Sequence, residues 1–173
     1  MLSEIHKEHT MSRHPDMRGF TLIELLVTIA LLGIALGIAV PNFASLIRNN
    51  QVEAQAQTLN SLLQFARSEA VVRRAPVTVS NVGDVWTIAT SSQTLRQETF
   101  NSAQADITTS PSPISLTFSS NGTSSSAGET RITVCRDSNP TFGYLLTVDR
   151  SGSSRLHNRG KDSDTTALGD CTP

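Results

Sequence analysis

The chain has 173 residues, of which 38% are hydrophobic and 17% are charged, and its formal net charge is −1. This length accommodates one domain of ordinary size together with a short additional element. The nearly neutral charge excludes a global basic field of the kind that recruits nucleic acid, so any such binding needs a local patch.

The N-terminal region divides sharply into a polar segment and an apolar run. Residues 1–19 are polar, whereas the run from Phe20 to Val40 is almost wholly apolar. As a helix, about 21 residues span about 31 Å, which matches the hydrocarbon core of a bilayer. Arg18 precedes the run and the next charge after it is Arg48. The positive-inside rule therefore predicts a cytoplasmic N-terminus and a C-terminal part outside the membrane.

Glu24 is the one charged residue inside the apolar run. An acid there costs roughly 2.5–3.5 kcal/mol on insertion scales, so its presence indicates a function. Cleavage after Gly19 would make Glu24 the fifth residue of the mature chain and would create a new α-amine at Phe20. An acid and an amine one helical turn apart suit pairing between neighbouring subunits, in which each Glu24 neutralises the amine of the next chain.

Three other interpretations of the apolar run stay open from the residues alone. An ordinary secretory signal peptide would be cut at Gly37-Ile38-Ala39, but the run exceeds the usual apolar region of about 7–15 residues. An uncleaved single-pass anchor would leave Glu24 unexplained. A buried core helix of a soluble protein is unusual at this length without polar interruption.

A known processing signal resembles the start of the run, which reads Gly19-Phe20-Thr21-Leu22-Ile23-Glu24. This is similar to the class III signal of type IV pilins and type II secretion pseudopilins. The resemblance implies that prepilin peptidase cleaves between Gly19 and Phe20 and methylates the new Phe20 amine, with Glu24 as the assembly carboxylate. The leader of 19 residues is longer than that of the simple pilins, and Met11 is an alternative start.

After Pro41 the apolar pattern becomes amphipathic, which predicts that the helix continues over residues 41–74. An apolar stripe recurs at spacings of three and four residues, at Val52, Ala56, Leu59, Leu63, Ala66 and Ala70. The helix is therefore predicted from about Thr21 to Val72. Pro41 is expected to kink or loosen it, because proline lacks an amide hydrogen. Gly33 and Pro41 also fall where helices of the resembled family carry a flexible glycine and a kinking proline.

The remainder of the chain has the pattern of short strands. The predicted strands are 77–80, 85–90, 94–100, 115–118, 130–135 and 144–149. Their regular spacing indicates an antiparallel sheet, and a long N-terminal helix packed on such a sheet gives an α+β fold. The predicted order is a leader (1–19), a transmembrane and assembly helix (20–40), an amphipathic continuation (41–74) and a periplasmic β-rich domain (75–173).

The two cysteines, Cys135 and Cys171, both follow the apolar run. If the run is an anchor with its N-terminus inside, both lie in an oxidising compartment such as a periplasm, and a disulfide is predicted. The bridge would close a loop of roughly 37 residues and stabilise the fold by about 3–4 kcal/mol. In a cytosolic protein the alternative is two unpaired thiols.

Catalytic chemistry finds little support in the sequence. Beyond the apolar run the only histidine is His157, and no Ser/His/Asp or Cys/His constellation can be assembled. Two distant cysteines and scattered acids match no zinc or calcium spacing. We therefore expect no enzymatic activity, no bound metal and no cofactor.

A second resemblance covers residues 20 to about 157. Residues 59–80 read LNSLLQFARSEAVVRRAPVTVS, with a later CRD and DRSGS, and are similar to the pseudopilin H and FimT/FimU minor-pilin family. The resemblance implies a non-catalytic subunit in the bacterial inner membrane and near the filament tip, which helps to prime or cap assembly of a type IV pilus or type II secretion pseudopilus. The implied partners are other minor and major pilins or pseudopilins, prepilin peptidase, the inner-membrane assembly platform and membrane lipid.

The alternative function is DNA binding during natural transformation. Some FimT-like pilins capture DNA through a basic Gly-Arg-x-Arg run near the C-terminus. The candidate phosphate-binding residues here are Arg150, Arg155, Arg159 and Lys161. However, Gly152 is followed by two serines, and the flanking acids are Asp149, Asp162 and Asp164. A solvated hairpin end is therefore the favoured interpretation of this segment.

Overall fold

The computed structural model describes residues 19–173, and over this range the chain forms one long helix followed by eight strands. The helix is α1 (Leu22–Arg73). The strands are β1 (Val77–Val82), β2 (Val85–Ala89), β3 (Thr94–Thr99), β4 (Asp106–Ser110), β5 (Ser115–Phe118), β6 (Thr130–Arg136), β7 (Asn139–Val148) and β8 (Ser154–Leu156). The chain divides into two units after Asn42, so the second half of α1 belongs with the strands.

The strands form two four-stranded sheets in which every pair is antiparallel. Sheet 1 has the order β3-β2-β1-β5, and sheet 2 has the order β4-β6-β7-β8. The predicted α+β fold is confirmed, and α1 begins and ends within one residue of its predicted bounds. Strands β4 and β8 are absent from the prediction. The first has a single aliphatic residue, Ile107, and the second has only three residues, so neither shows a recognisable strand pattern.

The main core lies between one face of α1 and the inner faces of both sheets. Every residue of the predicted apolar stripe is 0% exposed, namely Val52, Ala56, Leu59, Leu63, Ala66 and Ala70. These residues share one cluster with Trp86 and Phe118 of sheet 1 and with Ile132 of sheet 2. Residues three and four apart lie on one face of a helix, so the stripe places α1 against the sheets. The stripe is thus confirmed as the core face of α1.

A smaller buried group lies on the opposite face of sheet 2, under the C-terminal tail. Cys135, Leu145 and Leu168 are buried but lie outside the main core cluster. A side chain at Gly143 would lie 2.6 Å from Cys135 Sγ and 3.4 Å from Leu168, so the tail packs directly on the sheet. Sheet 2 is therefore covered on both faces, by α1 and by the tail.

The C-terminus of α1 ends in a capping turn with an unusual residue at its left-handed position. Ala75 N–H donates to Ala70 O (3.2 Å) and Arg74 N–H donates to Val71 O (3.3 Å), the bond pattern of a Schellman motif. The left-handed residue of that motif is normally glycine, but here it is Arg74, with φ of 54°. A side chain in this conformation costs roughly 1–2 kcal/mol, because its Cβ crowds the following carbonyl group.

Replacement of Arg74 by glycine is expected to raise the free energy of unfolding by roughly 0.5–1 kcal/mol. Glycine removes a strain of roughly 1–2 kcal/mol. It also costs about 0.5–1 kcal/mol more conformational entropy on folding, so the net effect is stabilising. Thermal unfolding of the full chain in mild detergent measures the difference. The matched control is Arg73→Gly, one residue earlier and helical, which should instead lower stability by about 1 kcal/mol. Equal losses in the two variants would contradict the assignment of strain to Arg74.

Candidate assembly site

The first turn of α1 begins directly after the predicted cleavage point. Gly19, Phe20 and Thr21 precede the helix, and Thr21 caps it. Thr21 Oγ1 accepts a hydrogen bond from Glu24 N–H (3.3 Å), and Thr21 O accepts from Leu25 N–H (3.1 Å). The capping role of Thr21 is absent from the sequence prediction, although Thr-x-x-Glu is a known capping sequence. The Gly19–Phe20 bond thus lies outside regular helix. Residues 1–18 of the predicted leader (1–19) lie outside the described residues.

Glu24 occupies the third position of the helix, where the aligned peptide dipoles present their positive end. A carboxylate is stabilised there by typically 0.3–1 kcal/mol, that is, by about as much as one surface ion pair. This gain is smaller than the roughly 2.5–3.5 kcal/mol that an acid costs in the hydrocarbon region. The local helix therefore leaves most of this cost uncompensated.

The surface that surrounds Glu24 is apolar and exposed. Helix α1 is long and apolar enough to cross a membrane, with a mean hydropathy of 2.5 over its most apolar window and none of that window buried. Phe20 and Leu22 are each 81% exposed. Gly33 has no atom within 4 Å of the position that a Cβ would take, so its surface is open to a close neighbour. Small residues of this kind let helices approach closely.

The apolar surface continues beyond Val40, where the predicted membrane segment ends. Within the second unit, Phe43 is 62% exposed, Leu46 is 53% exposed and Ile47 is 44% exposed. The first buried residue of α1 is Val52. The core-packed face of α1 therefore begins between Ile47 and Val52.

Helix α1 is assigned without a break through Pro41. Because Pro41 has no amide hydrogen, the carbonyl group four residues earlier loses its helical donor. In the next position, Asn42 Nδ2 donates to Ile38 O (3.0 Å). This bond adds to the carbonyl group that follows the one left without a donor, so it reinforces the adjacent turn. A kink or loosening at Gly33 and Pro41 stays a prediction.

The predicted disulfide is present. Cys135 of β6 and Cys171 of the tail are bonded, with Cα atoms 6.0 Å apart. Thr133 Oγ1 lies 2.6 Å from Cys171 O, and Thr108 Oγ1 also lies within hydrogen-bond distance of the same carbonyl oxygen. Since Thr108 and Thr133 face each other across β4 and β6, the bonded tail is held against two strands at once.

The four candidate DNA-binding residues have different surroundings. Arg155 Nη2 pairs with Asp164 Oδ1 at 2.9 Å, which offsets its charge. The Arg159 guanidinium lies 5.9 Å from the ring centroid of Phe142. Arg150 and Lys161 make no ion pair within residues 19–173. DNA binding by this set stays a prediction.

Within residues 19–173, no group of three His, Cys, Asp or Glu side chains is placed to hold a metal ion.

His157 lies next to this set and is half-buried, with Nε2 3.1 Å from Thr147 Oγ1. Burial lowers the pKa of His157 below its ordinary value of 6.5, and the Arg155 charge lowers it further, against opposing contributions from Glu129 and Asp162. The unfolded chain therefore binds a proton at a higher pH than the folded chain. The contribution to stability is complete above about pH 6.5 and is lost as the pH falls toward the folded pKa.

We expect wild-type stability to fall between about pH 7.5 and pH 5 more steeply than that of a His157→Gln variant. Thermal unfolding midpoints of the two proteins, measured in parallel across this range, give the difference. Subtraction removes the common titration of carboxylates. Parallel curves would contradict a lowered pKa at His157.

Comparison with known proteins gives two sequence matches and three structural ones. The pattern of the family described as type II transport protein GspH matches residues 55–152, and the prokaryotic N-terminal methylation motif matches residues 15–40. The type IV minor pilin FimU of Pseudomonas aeruginosa is similar in two crystal forms. The first has 26% identity and a TM-score of 0.62, and covers 70% of this chain and 96% of that one. The second has 25% identity and a TM-score of 0.59, and covers 69% and 98%.

The third structural match is more distant. The minor pseudopilin EpsH of the Vibrio cholerae type 2 secretion system has 18% identity and a TM-score of 0.49, and covers 64% of this chain and 99% of that one. No curated protein sequence matches the chain with significance.

Proposed function

Because the chain belongs to the GspH family of minor pilins and pseudopilins, we propose that it is an inner-membrane-anchored subunit that helps to prime or cap a type IV pilus or type II secretion pseudopilus. Members of this family are structural subunits without catalytic activity. The proposal is supported most directly by one observation. The exposed apolar part of α1 starts at the processing motif and contains a single acid, Glu24, in the first turn.

The first step of the proposal is processing by prepilin peptidase. The peptidase cleaves the Gly19–Phe20 bond and methylates the new amine of Phe20. Both residues precede the helix and Phe20 is 81% exposed, so the bond is sterically open to a peptidase. The residues of the methylation motif match include both of them. Cleavage at this point leaves Thr21 in place as the helix cap.

The second step is pairing between chains. The Phe20 amine of one subunit neutralises Glu24 of the next, which removes the cost of a lone carboxylate in an apolar environment. The exposed apolar surface then exchanges lipid for the helices of other pilins or pseudopilins, and both environments are equally apolar. The assembly platform can therefore extract the subunit without exposing this surface to water.

The proposed topology follows from the same segment. The N-terminus faces the cytoplasm, the helix crosses the inner membrane once, and the second unit lies in the periplasm. The disulfide agrees with that location, because such bonds persist in oxidising compartments. The proposed position near the filament tip is inferred from the resemblance of the chain to minor subunits.

N-terminal mass analysis of the chain isolated from its native membrane tests the proposal. The expected mature chain begins at Phe20 and carries one methyl group on its amine. A native chain that still began upstream of Phe20 would lack the Phe20 amine, and one that began after Ala39 would lack the membrane-spanning part of α1. Either result would overturn the proposed function.

A further inference from the structure

The outer edge of sheet 2 presents unpaired backbone groups beside the last turns of α1. In the part of the chain that the structure describes, β8 is the terminal strand of this sheet and pairs with β7 alone. Asp149 N–H donates to Ser153 O (3.0 Å), and His157 N–H donates to Leu145 O (2.8 Å). Bonded and non-bonded positions alternate along an antiparallel pair. Ser154 and Leu156 of β8 therefore direct their N–H and C=O groups away from β7.

A groove of about 520 Å³ runs between this edge and α1. Its helix side includes Gln64, Arg67, Val71 and Val72, and Ser154 of β8 lies opposite. Val71 is 46% exposed and Val72 is 77% exposed. The groove therefore combines an apolar floor with a free strand edge, which are the two parts that an extended peptide needs to add to a sheet.

The wall of the groove is fixed by close contacts. Arg67 Nε donates to Gly122 O (3.1 Å), and Arg67 Nη2 donates to Ser151 O (3.3 Å). Gly152 has φ of 76°, and a Cβ there would lie 1.9 Å from Gly122 O. Two turns thus touch each other and are both held by Arg67. Contacts within the chain therefore fix this wall, which lowers the cost of ordering it on binding.

The charges around the groove favour an acidic ligand. Arg67 is the one charged side chain among the residues that line the groove. Its guanidinium group donates to two backbone carbonyl groups and forms no ion pair with a carboxylate of residues 19–173, so its charge is not neutralised there. The acid Glu69 on this part of α1 is already paired with Arg73. A complementary ligand therefore carries an acidic residue together with an apolar one.

We propose that the groove binds an extended segment of a neighbouring pilin-type subunit, which adds as a strand to the outer edge of β8. The segment pairs with the outward backbone groups of Ser154 and Leu156, and it places an apolar side chain on Val71 and an acidic one near Arg67. This inference rests on the proposed function, because it takes its partner from the same filament. In this proposal the groove selects the partner. The apolar helix cannot do so, because every subunit of the filament carries one.

Site-specific photo-cross-linking in the native membrane tests the inference with the full chain. A benzophenone amino acid replaces Gln64, which lines the groove, or Gln57, an exposed glutamine of α1 that lies outside it. We expect the Gln64 probe to form an adduct whose peptide, identified by mass spectrometry, belongs to another pilin-type subunit. The Gln57 probe gives the background. Equal yields, or a Gln64 adduct with lipid, nucleic acid or an unrelated protein, would overturn the inference.

A pair of variants at Ser154 tests strand addition itself. Ser154→Pro removes the outward N–H and leaves the β7 bonds of Ser153 and His157 in place, whereas Ser154→Ala keeps that N–H. The cross-link from position 64 should fall roughly tenfold with proline and stay unchanged with alanine. Unfolding midpoints verify that both variants fold. Equal yields from the two variants would overturn the inference alone, because N-terminal processing at Phe20 is measured separately and tests the proposed function.

Discussion

Replacement of Glu24 by alanine is expected to lower incorporation of the chain into filaments by at least about 100-fold while its insertion into the membrane continues. The substitution leaves the amine of a neighbouring Phe20 inside the helix bundle without a counter-charge. An uncompensated buried charge costs roughly 3–5 kcal/mol, and each 1.4 kcal/mol corresponds to about a tenfold change in an equilibrium. Insertion is unaffected, because alanine is more compatible with lipid than a carboxylate. Quantitative mass spectrometry of sheared filaments and of membranes gives the ratio of the two populations.

Thr28→Ala is the matched control for this substitution. Thr28 is an exposed polar residue one turn after Glu24 on the same helix, and its hydroxyl group donates to Leu25 O within its own turn (2.8 Å). Its removal should leave incorporation near the wild-type level, because it has no charge to contribute to a neighbour. Normal incorporation of Glu24→Ala, or equal losses in both variants, would contradict charge pairing between subunits.

Removal of the disulfide has the second large expected effect, and it acts on stability. The double variant Cys135→Ser and Cys171→Ser should lose about 3–4 kcal/mol of unfolding free energy, since the native bond closes a loop between residues 36 apart in sequence. This loss corresponds to a fall of roughly 10 °C in the unfolding midpoint. Hydrogen exchange should rise first in the tail around Leu168, which would then be held by the hydrogen bond from Leu168 N–H to Gly160 O (2.9 Å), the Cys171 carbonyl contacts and its own packing.

The chain supplies its own control for this experiment. A reducing agent should lower the unfolding midpoint of the wild-type protein to that of the double variant and should not change the double variant. A wild-type midpoint that is insensitive to reduction, in a sample whose thiols are shown to be free, would contradict a stabilising role for the bond. Other effects of the reductant on the fold are excluded by its lack of effect on the double variant.

The parts of the fold that sequence could predict are those with a strong local pattern. The spacing of Val52, Ala56 and Leu59 identifies the buried face of α1, because a helix brings such positions together whatever it packs against. Strand β4 lacks such a pattern, since Asp106 and two threonines surround its single aliphatic residue. Its pairing with β6 depends on contacts far apart in sequence, which no local period reports.

The candidate site shows the same division. Glu24 is conspicuous because one charge interrupts an apolar run, and so its importance can be predicted from sequence. The capping role of Thr21 has a sequence signal, Thr-x-x-Glu. The same residues belong to the cleavage motif, which accounts for them without a cap, so the cap is missed. By contrast, proximity in sequence was a poor guide for the basic residues. Arg155 meets Asp164 through a loop, and Arg159 lies over Phe142.

The position of Cys171 gives the disulfide a consequence for the order of events during folding. The chain contains two cysteines, so Cys135 has no incorrect partner within the same molecule. Its partner, Cys171, lies 36 residues later and follows the last strand of sheet 2. The bond can therefore close only when the tail folds back onto β6, after every strand of that sheet has been synthesised. A closed bond thus reports that the tail has docked, and the redox state of one thiol pair distinguishes a finished sheet 2 from an unfinished one.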